Sequence, residues 1–426
     1  MLSAGTGSFY CGTCLRDDTL ARGLRELGHE VRLIPLYLPL ISDHEAGVSE
    51  DERVLLGGVN AYMQQYSALC RALPDWVDRA LDSPLVLKLA AGRAGATNPS
   101  ELGPMTRSML LGSEGFQAKS IRRLCEGLVS LNFEPDVLLL SNALLLGLAK
   151  PLREALGCPV VSTLQGEDAF LDALPEGESA EAWTICRERA EELNHFIAVS
   201  AYHREVMQAR LHLDEGRIDV VHNGIELEDF EPAEHPPERP TLGFFARLCE
   251  DKGLNFLVEA YIALRATWSG PPPKLLLGGA MTRLDKKVLG AACRRLSEAG
   301  VADALEVHPN MSRAEKIHFL RRLSLLCVPV RVSESFGLYA LEAMASGVPI
   351  VAPPRGGLRE LVERTGGGVL AGDETPDELA ESIANLLKEP ERARALGARG
   401  RSAVLSEFSH QHMARKVSDC LQRLIA

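Results

Sequence analysis

The segment from Pro329 to Glu363, PVRVSESFGLYALEAMASGVPIVAPPRGGLRELVE, gathers the side chains best placed to do chemistry. An apolar run ends near Val330, Glu334 follows, and Ser335-Phe336-Gly337 then leads into a helical stretch over Leu338 to Ala345. Glycine lets a ligand approach the backbone closely, and the N–H groups at a helix start have no carbonyl partners, so this turn suits an anion such as a phosphate. Glu334 precedes the helix, and Glu342 lies more than one turn inside it. Together they can flank a phosphate, one facing a sugar and the other accepting hydrogen bonds from ribose hydroxyls. A single glutamate on a helix reads first as a solvated or capping side chain. The pair gains specificity from Gly347-Val348-Pro349 and Gly356-Gly357 downstream.

Elements that could position these groups follow from the rhythm of the chain. Short apolar runs alternate with longer amphipathic stretches, the pattern of an α/β protein with parallel sheets. In the first half a helix is expected from about Asp17 to Leu27, stopped by Gly28, with strands at Val31 to Leu38, Val137 to Ser141, Pro159 to Leu164 and His195 to Val199. A long helical insertion, about residues 40–131, is broken by Pro74, Pro84, Pro99 and Pro104. Tyr62, Tyr66 and Trp76 within it, at helical spacing, read as a core-facing stripe. The run EPAEHPPERP, Glu231 to Pro240, reads as a semi-rigid linker. Strands then resume at Leu242 to Phe245, Lys274 to Leu277, Leu305 to Val307, Leu325 to Val328, Pro349 to Ala352 and Gly368 to Leu370. Expected domains are therefore 1–230 and 241–405, with a terminal helix over 406–426.

The 426 residues carry 46 Lys+Arg against 58 Asp+Glu, and a formal charge of −12 argues against a surface built to coat nucleic acid or anionic lipid. Residues 1–12 lack a basic n-region, and the longest apolar stretch, Val137 to Ala149, is too short to span a bilayer. The ten cysteines are scattered apart from Cys11-Gly-Thr-Cys14, so reduced thiols and a cytoplasmic location are expected. Cys11 and Cys14 have no second ligand pair to complete a zinc site, and no metal is expected.

These motifs resemble the retaining, GT-B-fold glycosyltransferases of family 4, also called glycosyl transferases group 1. The resemblance rests on Glu334-x7-Glu342, on Glu342-Ala-Met-Ala-Ser-Gly-Val-Pro-Ile-Val351, and on Gly356-Gly357 with Glu360. It extends to Phe245-Ala-Arg-Leu248 through Asp251-Lys-Gly253, to Val221-His-Asn-Gly-Ile225 through Phe230, and to Ala198-Val-Ser200. It is collinear from about Phe196 to Leu424, while over the first half only the general layout agrees.

The resemblance implies two Rossmann-like α/β domains facing each other across a cleft, with the terminal helix crossing back to the N-domain. The activity implied is transfer of a hexose from a nucleotide diphosphate sugar (UDP-, GDP- or ADP-linked) to a carbohydrate, small-molecule or lipid-linked acceptor. No cofactor, transmembrane segment or nucleic-acid partner is implied. Arg247 and Lys252 would bind the diphosphate and stabilise the leaving charge, and Glu334 would contact the transferred sugar. Gly7 of the first glycine-bearing loop, Ser335, Phe336, Gly337 and Leu338 would line the donor, Glu342 would hold the ribose, and Met311 would lie near the base.

On the acceptor and sugar side stand Gly5, Gln165 and Asp168. Many family members place a His where Gln165 stands, and Gln can hydrogen-bond a sugar hydroxyl but cannot titrate. Asp168 could bind a hydroxyl or start the next helix. Only Met1 and Leu2 precede the glycine-bearing loop where a strand of about five residues is expected, so the first strand is expected to be cut short. Two alternatives remain at this stage: a GT-B-fold nucleotide-sugar epimerase, which would need no acceptor, and a non-catalytic nucleotide-sugar-binding protein, which would bind donor without turnover.

Overall fold

A computed structural model describes residues 1–5, 12–37, 56–74, 99–372 and 374–425. Gly7, Cys11 and Trp76 lie outside the described residues, as does much of the expected insertion. The chain divides into two compact units, Met1–His222 with Met413–Ala426, and Asn223–His412.

The first unit holds a six-stranded sheet in the order β2-β1-β3-β4-β5-β6, every pair parallel. Its strands are β1 (Leu2–Ser3), β2 (Ile34–Pro35), β3 (Leu138–Leu140), β4 (Val160–Leu164), β5 (His195–Ala198) and β6 (Ile218–Val220). β6, too short and polar to stand out in the sequence, was not among the expected strands, and β2 is much shorter than the run Val31 to Leu38. Alternate residues of each strand feed opposite faces. Leu138, Leu140, Val160 and Phe196 enter one core, while Leu139, Val161 and Ile197 enter a second with Leu20 and Leu24. Met413, Ala414 and Val417 of the last helix, His410–Ile425, complete that second core. The expected single helix over 406–426 is in fact interrupted: the preceding helix Pro390–Glu407 ends before Phe408, whose buried ring lies 6.3 Å from that of Phe336.

The second unit repeats the plan with β7 (Thr241–Phe245), β8 (Lys274–Gly279), β9 (Leu305–Pro309), β10 (Leu325–Cys327), β11 (Ile350–Ala352) and β12 (Gly368–Leu370). Their order is β12-β11-β10-β7-β8-β9, again parallel throughout. Its strands β7, β10 and β11 are buried along their whole length, as expected when helices cover a parallel sheet, while the edge strand β9 turns Glu306 and His308 to a polar side. Residues 223–231 belong here, so the boundary falls at His222 and not at residue 230. The physical reason is a set of arginine clamps: Arg313 donates to the Glu228 carbonyl at 2.8 Å, Arg321 to those of Asp229 and Glu231, and Arg401 to that of Phe230.

In each sheet the order reverses direction once, between β1 and β3 and between β7 and β10. Ligand crevices in open α/β sheets form beyond the carboxyl ends of strands at such points. Among the described residues no helix is long and apolar enough to cross a membrane.

Candidate active site

In the second unit the reversal point gathers the residues singled out from the sequence. β7 ends at Phe245, and the loop after it carries Arg247 and Lys252; β10 ends at Cys327, and the loop after it carries Glu334 to Gly337. The two loops meet because Gly253 turns with φ 77°, and a Cβ there would stand 1.9 Å from the Pro329 carbonyl oxygen. Only glycine permits that approach. A backbone bond from Arg331 N–H to the Asp251 carbonyl, 2.9 Å, fastens the same junction. Lys252 Nζ is thereby delivered to Glu334, with which it forms an ion pair.

Arg247 is anchored differently. Its Nε donates to Asp285 Oδ2 at 3.0 Å, and Asp285 also accepts from the Thr282 N–H and hydroxyl at 2.8 and 2.7 Å. Burial alone would raise the Asp285 carboxyl, but the bonds from Arg247 and Thr282 prevail and its pKa lies below the ordinary carboxylate value. Both cations are therefore held in place by carboxylates, close in sequence and on one strand end.

Gly337, φ 108°, caps the helix Leu338–Ala345, whose first-turn N–H groups carry the positive end of the helix dipole. Phe336 is buried and Ser335 precedes it on the same turn. Met311 lies against the end of β8: a Cβ on Gly278 would meet its Cε at 2.7 Å. Glu342 is buried and accepts a 2.7 Å hydrogen bond from Lys316 Nζ, itself 2% exposed. Thus Arg247, Lys252, Glu334, Ser335 to Leu338, Glu342 and Met311 all belong to loops and helix starts of one unit, at the carboxyl side of its sheet.

The first unit has its own polar cluster at its reversal point. Asp17, fully buried, accepts from Ser3 Oγ at 2.8 Å, Ser141 Oγ at 2.5 Å, Gln165 Nε2 at 3.2 Å and Arg16 Nη1 at 3.4 Å. Burial pushes the Asp17 carboxyl above its ordinary pKa, against the pull of Arg16 and the hydroxyls. Gln165 spends its amide nitrogen on this cluster, donating also to the Ser141 carbonyl at 2.7 Å. Gly5, φ 73°, follows Ser3 at the end of β1.

Asp168 is the second residue of the short helix Glu167–Asp172, with Oδ1 3.7 Å from His203 Nδ1. Its neighbour Glu167 does more of the local work, accepting from the N–H groups of Ala143, Gln165 and Gly166 at 2.6, 2.7 and 2.8 Å. Burial would raise the Glu167 carboxyl, yet His203 and the Ala143 N–H outweigh it and hold the pKa below the usual value. His203 Nε2 also meets the Gly166 N–H at 3.0 Å, with Nδ1 on the side of Asp168.

Asp17, Glu167, His203, Asp285 and Lys316 were not singled out from the sequence. Two of them carried a signal: Asp17 shares a helical stripe with Leu20, Ala21 and Leu24, and Lys316 shares one with Phe319, Leu320 and Leu323. A charge on an otherwise apolar stripe is a buried charge that needs a partner. The nine cysteines among the described residues are free thiols, and no three His, Cys, Asp or Glu side chains there gather as a metal-binding set.

Two family models match the chain in succession, Glycosyltransferase Family 4 over residues 103–229 and Glycosyl transferases group 1 over residues 226–403. A D-inositol 3-phosphate glycosyltransferase from Mycolicibacterium paratuberculosis is 32% identical over 208 residues, 47% of this chain and 46% of the relative. An alpha-maltose-1-phosphate synthase from Mycolicibacterium smegmatis is 29% identical over 69% of this chain and 81% of its own length. The fold matches sucrose-phosphate synthase from Thermosynechococcus elongatus with a TM-score of 0.69, at 19% identity over 95% of this chain and 91% of the other. The match thus spans about half the length of that inositol phosphate glycosyltransferase. The chain belongs to the GT-B-fold glycosyltransferases, glycosyl transferases group 1.

Proposed function

We propose that this glycosyltransferase is a retaining hexosyltransferase that uses a nucleotide diphosphate sugar and requires no metal ion. The observation that carries the reading is the pairing of Arg247 and Lys252 with Asp285 and Glu334 at the reversal point of the second sheet. Those cations are held ready by carboxylates, and a diphosphate would take over from them.

In the reaction, the bond from sugar C1 to the diphosphate oxygen breaks and a bond from C1 to an acceptor hydroxyl oxygen forms on the same face. The acceptor proton passes to the departing phosphate oxygen, so no protein nucleophile is required. Negative charge grows on the leaving group, where Arg247 and Lys252 are worth most. Glu334 contacts the sugar hydroxyls, the start of the helix Leu338–Ala345 receives phosphate, and Glu342 receives the ribose. Gly5, Gln165 and Asp168 serve the acceptor.

The names of all three similar proteins above contain a phosphorylated sugar or polyol. Sugar phosphates and inositol phosphates are therefore the acceptors to screen first. The scattered cysteines of the sequence support a cytoplasmic setting.

The test is thermal stabilisation by UDP, GDP and ADP on the parent and on Arg247→Ala. A nucleotide present at 100 times its dissociation constant adds about 2.7 kcal/mol. A shift with one nucleotide, lost in the variant, is expected and names the base. No shift with any of the three would refute the donor assignment.

A further inference from the structure

Glu342 is assigned above to the ribose, yet its carboxylate is not a free acceptor. Lys316 Nζ donates to its Oε1 at 2.7 Å, with the two side chains 3% and 10% exposed. Lys316 comes from a different element, the helix Arg313–Arg321, which opens directly after Met311. That helix is fixed at its start by a capping box between Ser312 and Glu315. The Lys316 ammonium also stands 5.9 Å from the centre of the Phe230 ring, a buried aromatic face that favours a cation.

A buried ion pair is seldom retained for stability, because an apolar pair of the same volume does as well or better. A carboxylate that must receive two hydroxyls has another need: it must not rotate. Lys316 supplies this by fixing one oxygen, Oε1, at 2.7 Å, so that Oε2 is the oxygen presented to the ligand.

We propose that Lys316 is a positioning residue that orients Glu342, and that this pair makes the site discriminate a nucleotide with free ribose hydroxyls from its deoxy analogues. The inference rests on the donor-site reading and deepens it. Lys316 acts through Glu342, to which its ammonium is bonded. Because the same helix start carries Met311, the base side and the ribose side are set by one rigid element.

The experiment compares the affinity of the protein for the best nucleoside diphosphate with that for its 2′-deoxy and 3′-deoxy forms, by calorimetry. Inorganic pyrophosphate serves as a ribose-free control. A hydroxyl bonded to a carboxylate is worth about tenfold or more, so the parent should prefer the ribonucleotide by at least that factor. Lys316→Met is expected to bring the preference to about twofold, as Glu342→Gln does, with pyrophosphate affinity unchanged. Lys316→Gln keeps a donor without the charge and should fall between Lys316→Met and the parent. It decides the question by itself if Lys316→Met fails to fold.

Full discrimination in the Lys316 variants while Glu342→Gln loses it would overturn the inference, as would an equal loss of pyrophosphate affinity. A parent that binds nucleotides without ribose preference would overturn it too. A parent that binds no nucleotide refutes the donor-site reading instead, so the two failures are distinguishable.

Discussion

Replacing Glu334 by Gln separates the two roles proposed for the Lys252–Glu334 pair. Lys252 is paired with Glu334, so a diphosphate that binds Lys252 competes with that carboxylate for the cation. The side chains are 29% and 14% exposed, and a pair of this kind is worth about 0.2–1 kcal/mol. Removing the competitor therefore tightens binding of a nucleoside diphosphate, by up to about fivefold at 1.4 kcal/mol per tenfold. Transfer moves the other way. A carboxylate bonded to a sugar hydroxyl contributes about 1.5–3 kcal/mol, so kcat/KM for the donor should fall by about 10–100-fold. Calorimetry with the nucleoside diphosphate and initial-rate kinetics with the nucleotide sugar read the two effects on the same protein. Nucleotide binding weakened tenfold by Glu334→Gln, or transfer within threefold of the parent, would refute the reasoning, because either would mean that Glu334 does not stand between Lys252 and the sugar.

Gly253→Ala should lower stability by about 1–3 kcal/mol in urea titration, since its φ of 77° is strained for alanine and the new Cβ meets the Pro329 carbonyl. The same variant should weaken nucleotide binding, because the junction that delivers Lys252 is disturbed. Asp17→Ala should cost about 3–5 kcal/mol in urea, for it leaves the buried Arg16 guanidinium without its carboxylate. The folded Asp285 pKa is depressed, so the stability it contributes is fully present above the ordinary carboxylate pKa of about 4 and is lost as pH falls through the lower folded value. Asp285→Asn should accordingly flatten the acid limb of stability measured from pH 6 downward. Chelation by EDTA should leave the transfer rate unchanged, and abolition of activity restored by a divalent ion would contradict the metal-independent reading.

Several features needed no tertiary information. Alternating apolar runs and amphipathic stretches fix two parallel α/β sheets, because the side-chain period of 2 or 3.6 is a local property of the backbone. Glu334, Gly337 and Glu342 lie within one loop and the helix that follows it, so their spacing alone places them around one helix start. Arg247 and Lys252 are likewise five residues apart on one loop after one strand. The partners were another matter. Asp285 meets Arg247 from 38 residues away, Lys316 meets Glu342 from 26, and Asp17 meets Gln165 from 148.

Each of these contacts depends on strand order: β7 lies between β10 and β8, and β1 between β2 and β3, so loops distant in sequence open side by side. A charged residue on an apolar helical stripe announces in the sequence that it will be buried and will need a counter-charge. Which counter-charge it finds is set by the order in which the strands pair. That order depends on long-range packing, and so only the folded chain decides it.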